Sequence, residues 1–328
     1  MIVRLIWWQL LKAFQRAKYR SVKLHRVQSL RLSELDSCSV VAISQEKLPL
    51  QHYKQLTTSD FRRTLRLNDV VINPKSGVFW HCNNFIQESS IYRWTELQRW
   101  EPYPYFAKKI EDNFINLPDN GYYHFLTEDL PRFLTSIEGI NEFTVLTGSN
   151  NKYVKDSLKI SGVERYVNSN FPVRISSLIF SEKIPNYPFS SHDYEELMNL
   201  KNKIKTNIVK SHKVFISRRT KLNHNAVTRG LEYVSFIEKL AYENGCHIVY
   251  AENLSLEDQI ALFSQTDELY GFHGAGLANL IWMNPGSKVV EITKQRITRH
   301  FEHLSQIARH SYSRILIEDK NSISNIFK

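Results

Sequence analysis

A short glycine-rich segment in the last third of the chain has the residue types of an anion-binding turn. It reads Gly271-Phe-His-Gly-Ala-Gly-Leu277 and follows a run of residues that predicts a buried strand. A strand that enters such a turn and then a helix brings backbone N–H groups to a phosphate, and the positive helix end favours the negative charge. A Cβ on a glycine there would hold the phosphate away. We therefore predict phosphate binding by residues 273–276, with a tight structural turn as the alternative.

Charged residues at the ends of two further predicted strands suit the same ligand. Phe215-Ile-Ser-Arg-Arg219 ends a strand with two guanidinium groups, which fit bidentate binding of phosphate oxygens. Arg229 is expected to bind phosphate together with these two arginines. Glu291 lies in the strand Val289-Val-Glu-Ile292, where a carboxylate can accept hydrogen bonds from ribose hydroxyls. Ordinary surface arginines and a sheet-edge carboxylate are the alternatives.

A third group of polar residues lies on a helix predicted over residues 122–137. His124 and Glu128 stand four residues apart and therefore share one helical face. A histidine or carboxylate that faces a substrate can take the proton from an acceptor hydroxyl. The alternative is a helix with a polar stripe. His300 and His303 have metal-like spacing but no third ligand, and the chain contains no Asp-x-Asp triplet, so no metal site is predicted.

The elements that would position these residues alternate regularly in the last third of the chain. Strands are predicted at residues 214–217, 247–251, 268–272 and 288–292, and helices at 228–244, 255–264, 274–283 and 300–309. This alternation predicts an α/β fold with a parallel sheet. Earlier in the chain, strands are predicted at residues 39–44, 70–73, 78–81, 143–146 and 173–180, and a charged helix at 190–209.

Positive charge is concentrated at the N-terminus. Residues 1–66 carry 13 Lys/Arg and 4 Asp/Glu, whereas the whole chain has a formal net charge of +10. A basic N-terminal block on an otherwise near-neutral chain favours binding to a local acidic surface. No motif that reads nucleic-acid sequence accompanies it. Residues 1–20 form an amphipathic pattern with basic residues mainly off the apolar face. They are predicted either to lie in an anionic membrane interface or to dock on the protein itself.

The cysteine content and the hydropathy of the chain bear on its compartment. Cys38, Cys82 and Cys246 have no metal-ligand spacing and are odd in number, which argues against a disulfide framework. No stretch approaches 18 uninterrupted apolar residues, and the N-terminus lacks a signal cleavage site. We therefore expect a cytoplasmic protein, with residues 1–20 able to contact the inner face of the cytoplasmic membrane.

Four segments within residues 213–292 carry a family resemblance, namely Phe215-Ile-Ser-Arg-Arg219, Ser255-Leu-Glu-Asp-Gln-Ile-Ala-Leu-Phe263, Gly271-Phe-His-Gly-Ala-Gly-Leu-Ala-Asn279 and Asn284-Pro-Gly-Ser-Lys-Val-Val-Glu-Ile292. With these segments the chain resembles glycosyltransferase family 61, which includes plant xylan, animal O-linked sugar and bacterial polysaccharide transferases. Residues 122–131 look like the aromatic-histidine helix of that family. Gly121 stands where the family usually has asparagine, and Arg229-Gly230 where it tends to have Asn-Glu.

The resemblance implies a GT-B fold, in which two Rossmann-like domains face each other across a cleft and the C-terminal half binds the nucleotide sugar. It also implies transfer with inversion from a donor expected to be UDP-linked, with neither metal nor cofactor. The expected divisions are a membrane-interface helix over residues 1–20, an acceptor-side domain over 21–205, a donor domain over 206–310, and a strand and tail over 311–328.

These observations together predict a glycosyltransferase that acts on a glycan or lipid-linked acceptor in bacterial capsule or lipopolysaccharide synthesis. The alternatives are a GT-B-like sugar-nucleotide epimerase or hydrolase, and a non-catalytic polyanion-binding scaffold. The catalytic residues are expected to be His124, Glu128 and Arg218. The donor-binding residues are expected to be Arg218, Arg219, Arg229, Glu252, His273, Gly274, Ala275, Gly276, Asn279 and Glu291.

Overall fold

The computed structural model describes residues 29–30, 40–47, 61–81, 84–86, 107–181, 189–204, 212–218, 230–295, 298–318, 323 and 326–327. The predicted helix over residues 1–20 lies outside these ranges, as do Arg219, Arg229, Cys38 and Cys82. The described residues pack as two units. The first unit runs up to Asn120 and resumes at His124, and the second holds Gly121–Tyr123 and everything from Phe189 onward. The division thus falls before Phe189, whereas residue 206 was predicted.

The first unit is built on a mixed β-sheet with the strand order β1-β5-β4-β3-β9-β6-β7-β8, in which β2 also pairs with β3. Strands β9, β6, β7 and β8 are parallel neighbours, whereas β3 pairs antiparallel with β2, β4 and β9. The strands are β1 (Ser29–Leu30), β2 (Val40–Lys47), β3 (Phe61–Ile72), β4 (Phe79–His81), β5 (Asn84–Ile86), β6 (Lys108–Asn116), β7 (Thr144–Thr147), β8 (Tyr166–Asn168) and β9 (Val173–Ser181).

Strands β2, β3 and β4 therefore lack the parallel pairing expected of a Rossmann-like first half, whereas β5 pairs in parallel with β1. A tight turn connects β3 to β4, in which the Asn73 N–H donates to the Val78 carbonyl at 2.8 Å and the Gly77 N–H to the Asn73 carbonyl at 2.9 Å. Gly77 has a φ of +75°, which glycine adopts without strain. A short turn of this kind makes its two strands antiparallel, because parallel strands need a longer crossover.

The helix predicted over residues 122–137 is present, with a change of geometry in its middle. It consists of α1 (Tyr122–His124), a π-helical turn (Phe125–Asp129) and α2 (Leu130–Ile137). In the π turn, the Leu130 N–H donates to the Phe125 carbonyl. Pro131 has no N–H to continue an α-helical ladder, and the helix widens in the turn just before it. Helix α3 (Lys152–Ile160) completes the helices of the first unit's described part.

The second unit contains a fully parallel five-stranded sheet with the order β11-β10-β12-β13-β14, which confirms the predicted parallel sheet. Strand β14 belongs to this sheet and lies in the segment over residues 311–328, for which a C-terminal strand and tail were predicted. The strands are β10 (Lys213–Ile216), β11 (His247–Val249), β12 (Glu268–Phe272), β13 (Lys288–Thr293) and β14 (Ser311–Leu316). The helices are α4 (Ser191–Lys201), α5 (Val234–Glu243), α6 (Leu256–Phe263) and α7 (His300–Ile307), with 3-10 helices at Leu231–Tyr233, Ala251–Asn253 and Ala275–Trp282.

Local sequence signals set several helix boundaries in the second unit. Ser255 caps α6 in a capping box with Asp258, as predicted from the sequence. Ser190 caps α4 in the same way with Asp193, and that helix ends at Lys201, earlier than predicted. The helix predicted over residues 228–244 has α-helical geometry only over Val234–Glu243 in its described part.

The helix predicted over residues 274–283 is a 3-10 helix over Ala275–Trp282. Its residues from Leu277 to Trp282 are all buried, so packing decides its geometry more than helix propensity does. The Lys201 ammonium group donates to the Trp282 carbonyl at 2.7 Å. This contact places a positive charge at the negative end of the helix, where it is stabilising.

A half-buried histidine close to this helix makes the stability of the second unit sensitive to acid. The His310 Nε2–H donates to the Leu280 carbonyl at 2.9 Å, and its Nδ1 is buried without a hydrogen-bond partner. Burial lowers the pKa of His310 below the ordinary histidine value. The unfolded chain therefore binds the proton first as the pH falls below about 6.5. Stability should fall over that range because protonation favours the unfolded state.

We expect His310→Gln to flatten this pH dependence, because glutamine keeps an N–H donor and does not titrate. The measurement is the urea midpoint of both proteins from neutral to mildly acidic pH. Wild type should lose more stability than the variant across this range. Parallel curves for the two proteins would contradict this assignment of the acid sensitivity to His310.

Candidate functional site

The second sheet reverses its strand order between β10 and β12. Counted in chain order, its strands lie in the sequence 2-1-3-4-5. Open parallel sheets of this order bind ligands outside the carboxyl ends of the strands, at the point of reversal. Ser217 and Arg218 follow β10, and His273 and Gly274 follow β12. The fold therefore brings two separately predicted segments together at its expected ligand position.

Arg218 and the glycine-rich turn are in direct contact. The Arg218 Nη1 donates a hydrogen bond to the His273 carbonyl at 3.2 Å. A Cβ on Gly274 would lie 2.0 Å from that Nη1 atom and 2.9 Å from the guanidinium carbon. Glycine at this position thus makes room for the arginine side chain, and the phosphate contact of Gly274 stays a prediction.

The other two glycines of the turn allow close packing of the elements behind it. A Cβ on Gly276 would lie 3.1 Å from the Ile216 Cγ2 atom, and one on Gly271 would lie 3.1 Å from the Leu277 Cδ2 atom. Both distances are tighter than ordinary side-chain contacts. These glycines let the 3-10 helix approach β10 and β12 and so fix the position of its first turn.

The start of the 3-10 helix supplies backbone donors next to Arg218. The first hydrogen bond within it joins the Leu277 N–H to the Gly274 carbonyl at 2.9 Å. The N–H groups of Ala275 and Gly276 precede that bond, and a helix start leaves such groups without an intrahelical acceptor. Both residues are partly exposed. A guanidinium group and backbone N–H groups therefore meet at one edge of the sheet, which is the chemistry of an anion site.

A buried carboxylate, Glu291, holds the side chain of His273 in place. The His273 Nδ1 bonds to Glu291, and its ring packs edge-to-face on Phe301 with 5.3 Å between ring centroids. Glu291 is 0% exposed and also accepts hydrogen bonds from the Tyr312 hydroxyl and, at 2.9 Å, from the Arg314 Nε–H. Burial by itself would raise the pKa of Glu291, but the bonds from His273, Tyr312 and Arg314 hold it below its ordinary value.

The predicted ribose contact of Glu291 does not fit this environment. A carboxylate that accepts hydrogen bonds from a ligand must be reachable, whereas both oxygens of Glu291 are buried and engaged by protein donors. Sequence reasoning missed Tyr312 and Arg314. They lie two residues apart on β14 and thus face the same side of the sheet, which is the signal that could have revealed them.

Asn279 also has a structural role where donor binding was predicted. It is 0% exposed, and its Nδ2 donates to the Gln259 Oε1 at 3.0 Å and to the Gly276 carbonyl at 3.1 Å. The Tyr122 hydroxyl lies 2.8 Å from oxygens of both Gln259 and Asn279. These bonds hold the 3-10 helix in position. Asn279 thus supports the turn, and its role in donor binding stays a prediction.

Two further carboxylates lie near the carboxyl edge of the second sheet. Glu252 is exposed in the short 3-10 helix that follows β11, so its donor-binding role stays a prediction. Glu238 on α5 is buried, and it accepts hydrogen bonds from the Ser217 hydroxyl and, at 2.9 Å, from the Tyr250 hydroxyl. Sequence reasoning missed Glu238. It fixes the residue that immediately precedes Arg218.

His124 and Glu128 form the predicted pair in the first unit. The His124 Nδ1 lies 3.0 Å from the Glu128 Oε1, and each side chain is 20% exposed. Asp129, which was not predicted, is 0% exposed and accepts a hydrogen bond from the Asn120 N–H at 3.1 Å. The histidine is thus oriented by a carboxylate, which is the arrangement that a proton-accepting imidazole requires.

Gly121 has a φ of +93°, and a Cβ added to it would meet no atom within 4 Å. This left-handed conformation is one that glycine adopts freely and asparagine tolerates better than most residues. The backbone geometry therefore accounts for glycine at a position where the resembling family usually has asparagine.

Within the described ranges, no cluster of three or more His, Cys, Asp or Glu residues could hold a metal ion. The helices in those ranges were also tested as membrane spans, and none has the length and apolarity that crossing requires.

The second unit is a parallel α/β unit with an arginine and a glycine-rich turn at its switch point. Comparison with known families is more specific. The family model described as Glycosyltransferase 61 matches residues 122–290, which include the His124–Glu128 pair and the turn at residues 273–276. The chain belongs to glycosyltransferase family 61, as the sequence resemblance indicated, and glycosyl transfer is its class of activity. No curated protein matched the chain.

Proposed function

We propose that this protein transfers a sugar, with inversion, from a nucleoside diphosphate donor to a hydroxyl of a glycan or glycolipid. The observation that carries the proposal is the contact between Arg218 and the glycine-rich turn at the switch point of the second sheet. An arginine and the first N–H groups of a helix are suited to a diphosphate. The uridine nucleotide is the expected carrier through the family resemblance.

In the proposed reaction, the acceptor oxygen forms a bond to the anomeric carbon while the bond from that carbon to the diphosphate oxygen breaks. The leaving diphosphate gathers negative charge in the transition state. Fixed donors at the place where this charge develops lower the barrier. Arg218 and the N–H groups of Ala275 and Gly276 are the proposed donors, with Arg219 and Arg229 as further proposed contributors. No metal is required in this scheme.

The acceptor hydroxyl must lose its proton as it attacks. We assign this step to His124, whose Nδ1 is held by Glu128. An ionised Glu128 would accept the proton of Nδ1, and Nε2 would then be the nitrogen that takes the acceptor's proton. The role of Glu128 in this scheme is to orient the imidazole.

The proposal extends to the architecture, the cellular location and the biosynthetic role of the enzyme. The second unit's parallel sheet supports a GT-B architecture in which this unit binds the donor. We propose a cytoplasmic enzyme of bacterial capsule or lipopolysaccharide synthesis, with residues 1–20 contacting the inner face of the membrane, where lipid-linked acceptors lie.

Nucleotide release by the purified protein tests the proposed function. The protein would be incubated with UDP-, GDP-, CMP- and TDP-sugars in EDTA, with and without a crude glycan or glycolipid acceptor. We expect release of one nucleotide that the acceptor stimulates and EDTA does not abolish. Donor consumption that ignores the acceptor would indicate an epimerase or hydrolase. Absence of both turnover and nucleotide binding across the panel would favour a polyanion-binding scaffold.

A further inference from the structure

A buried network under the glycine-rich turn joins β13 and β14 to His273. Glu291 on β13 accepts hydrogen bonds from Tyr312 and Arg314, both on β14. Arg314 is anchored further by a bond from its Nη2 to the Thr298 carbonyl at 2.7 Å. Glu291, Tyr312 and Arg314 all lie beyond the range that matches the family model. The carboxylate is thus fixed on one side by β14 and presents its other oxygen to His273.

The network dictates which nitrogen of His273 faces inward. An ionised carboxylate only accepts hydrogen bonds, so the His273 Nδ1 must carry the proton that joins it to Glu291. Within the part of the chain that the structure describes, the hydrogen bond of the imidazole is made by Nδ1 and leaves Nε2 available to a ligand. Packing of the ring against Phe301 restricts its rotation. The network therefore leaves Nε2 as the nitrogen with which His273 can bind a ligand.

The charges around His273 suit an anion. Glu291 and Arg314 form an ion pair at 2.9 Å and largely offset one another. The Arg218 guanidinium approaches from β10 and bonds to the His273 carbonyl. The Tyr312 hydroxyl is committed to Glu291, and α7 contributes His300 and Glu302 on either side of Phe301. A second proton on the imidazole would place one further positive charge next to Arg218, opposite a diphosphate.

We propose that Glu291, held by Tyr312 and Arg314, is a positioning residue that fixes His273, and that His273 binds the donor diphosphate through Nε2–H as an imidazolium. On binding, Nε2 takes one proton from solvent and donates it in a hydrogen bond to a diphosphate oxygen. The positive charge formed next to Arg218 then offsets charge on the leaving group. This inference rests on the proposed function, and it assigns Glu291 a role other than ribose binding.

Calorimetry in several buffers tests the proton uptake directly. The heat of binding would be measured for the nucleoside diphosphates UDP, GDP, CDP and TDP at one slightly alkaline pH, in buffers that differ in ionisation enthalpy. For the nucleotide that binds, the slope of the heat against that enthalpy gives the number of protons taken up. We expect wild type to take up protons on binding. His273→Gln should take up none and bind about tenfold to a hundredfold more weakly, because a hydrogen bond to a charged group is lost.

The positioning role of Glu291 is tested by variants that leave His273 in place. Glu291→Gln should abolish proton uptake, because the imidazolium loses its carboxylate partner. Tyr312→Phe is the milder variant and should lower both uptake and affinity, in case Glu291→Gln fails to fold. Its matched control is Tyr270→Phe, because the Tyr270 hydroxyl also bonds to a carboxylate, Glu268, on β12 of the same sheet. The control should retain both the affinity and the proton uptake of wild type.

The outcomes separate this inference from the proposed function. Nucleotide binding by wild type without proton uptake would overturn the inference and leave the proposed function intact. Uptake that persists in His273→Gln would also overturn it, since the proton would then go to another group. If Tyr312→Phe and Tyr270→Phe showed the same affinity and the same proton uptake, the buried network would have no role in binding the diphosphate. A wild-type protein that binds none of the nucleotides would overturn both proposals.

Discussion

Replacement of Arg218 by alanine is expected to lower kcat for glycosyl transfer about a hundredfold or more, the usual effect of deleting a fixed donor to a developing oxyanion. The guanidinium group is held against the His273 carbonyl at 3.2 Å, so it is already in position before the donor binds. The charge that it stabilises grows as the leaving diphosphate separates from the sugar. The loss should therefore fall mainly on kcat, with a smaller effect on KM for the donor.

The control for this variant is Arg174→Ala in the first unit. Arg174 forms an exposed ion pair with Asp69 at 2.6 Å, and exposed pairs contribute little to stability. Arg174→Ala should therefore keep wild-type turnover, which shows that loss of an arginine is harmless in itself. The measurement is steady-state nucleotide release with the identified donor and acceptor. Wild-type turnover by Arg218→Ala would remove Arg218 from the mechanism.

The second large effect is expected from the smallest substitution, Gly274→Ala. The new Cβ would lie 2.0 Å from the Arg218 Nη1 atom, so the guanidinium group must move away. Gly274 has an extended φ of 162°, which alanine can adopt. The fold should therefore survive while the arginine is displaced. Misplacing a positioned group by about 1 Å can cost on the order of a hundredfold in rate, so we expect a loss in kcat similar to that of Arg218→Ala.

A double-mutant cycle identifies the cause of this loss. If Gly274→Ala acts only by displacing Arg218, adding it to Arg218→Ala should cost nothing further. The unfolding midpoint of Gly274→Ala should stay close to that of wild type, which excludes a general loss of stability. Additive losses in the double variant would show instead that the Cβ obstructs the ligand or the backbone donors, as the sequence alone had suggested.

The sequence predicted the second unit well because its signals are local. Alternating apolar runs gave the strands of the parallel sheet, and the Ser255–Asp258 capping box gave the start of α6. The glycine-rich turn and the strand that ends at Ile216 were both recognised as site segments. Their contact at the switch point then follows from the strand order, which short-range patterns do not contain.

The differences between the sequence predictions and the structure depend on contacts between distant residues. Glu291 was assigned to ribose because a carboxylate at a strand end is usually reachable, and its burial depends on residues 21 and 23 positions later. The close approach of the Arg218 side chain to Gly274 is also a long-range contact. Arg218 lies 55 residues before His273, to whose carbonyl it bonds. In the first unit, the short turn at residues 73–78 makes β3 and β4 antiparallel. A turn signal in the sequence was present there, but its effect on the sheet was not inferred.

The central claim is that the donor diphosphate binds at the switch point between β10 and β12. The most direct test is a crystal structure of the protein with the nucleoside diphosphate that it binds. We predict diphosphate oxygens within hydrogen-bonding distance of the Arg218 guanidinium and of the N–H groups of Ala275 and Gly276. A diphosphate bound at another edge of the molecule, or at this edge without contact to Arg218, would contradict the account.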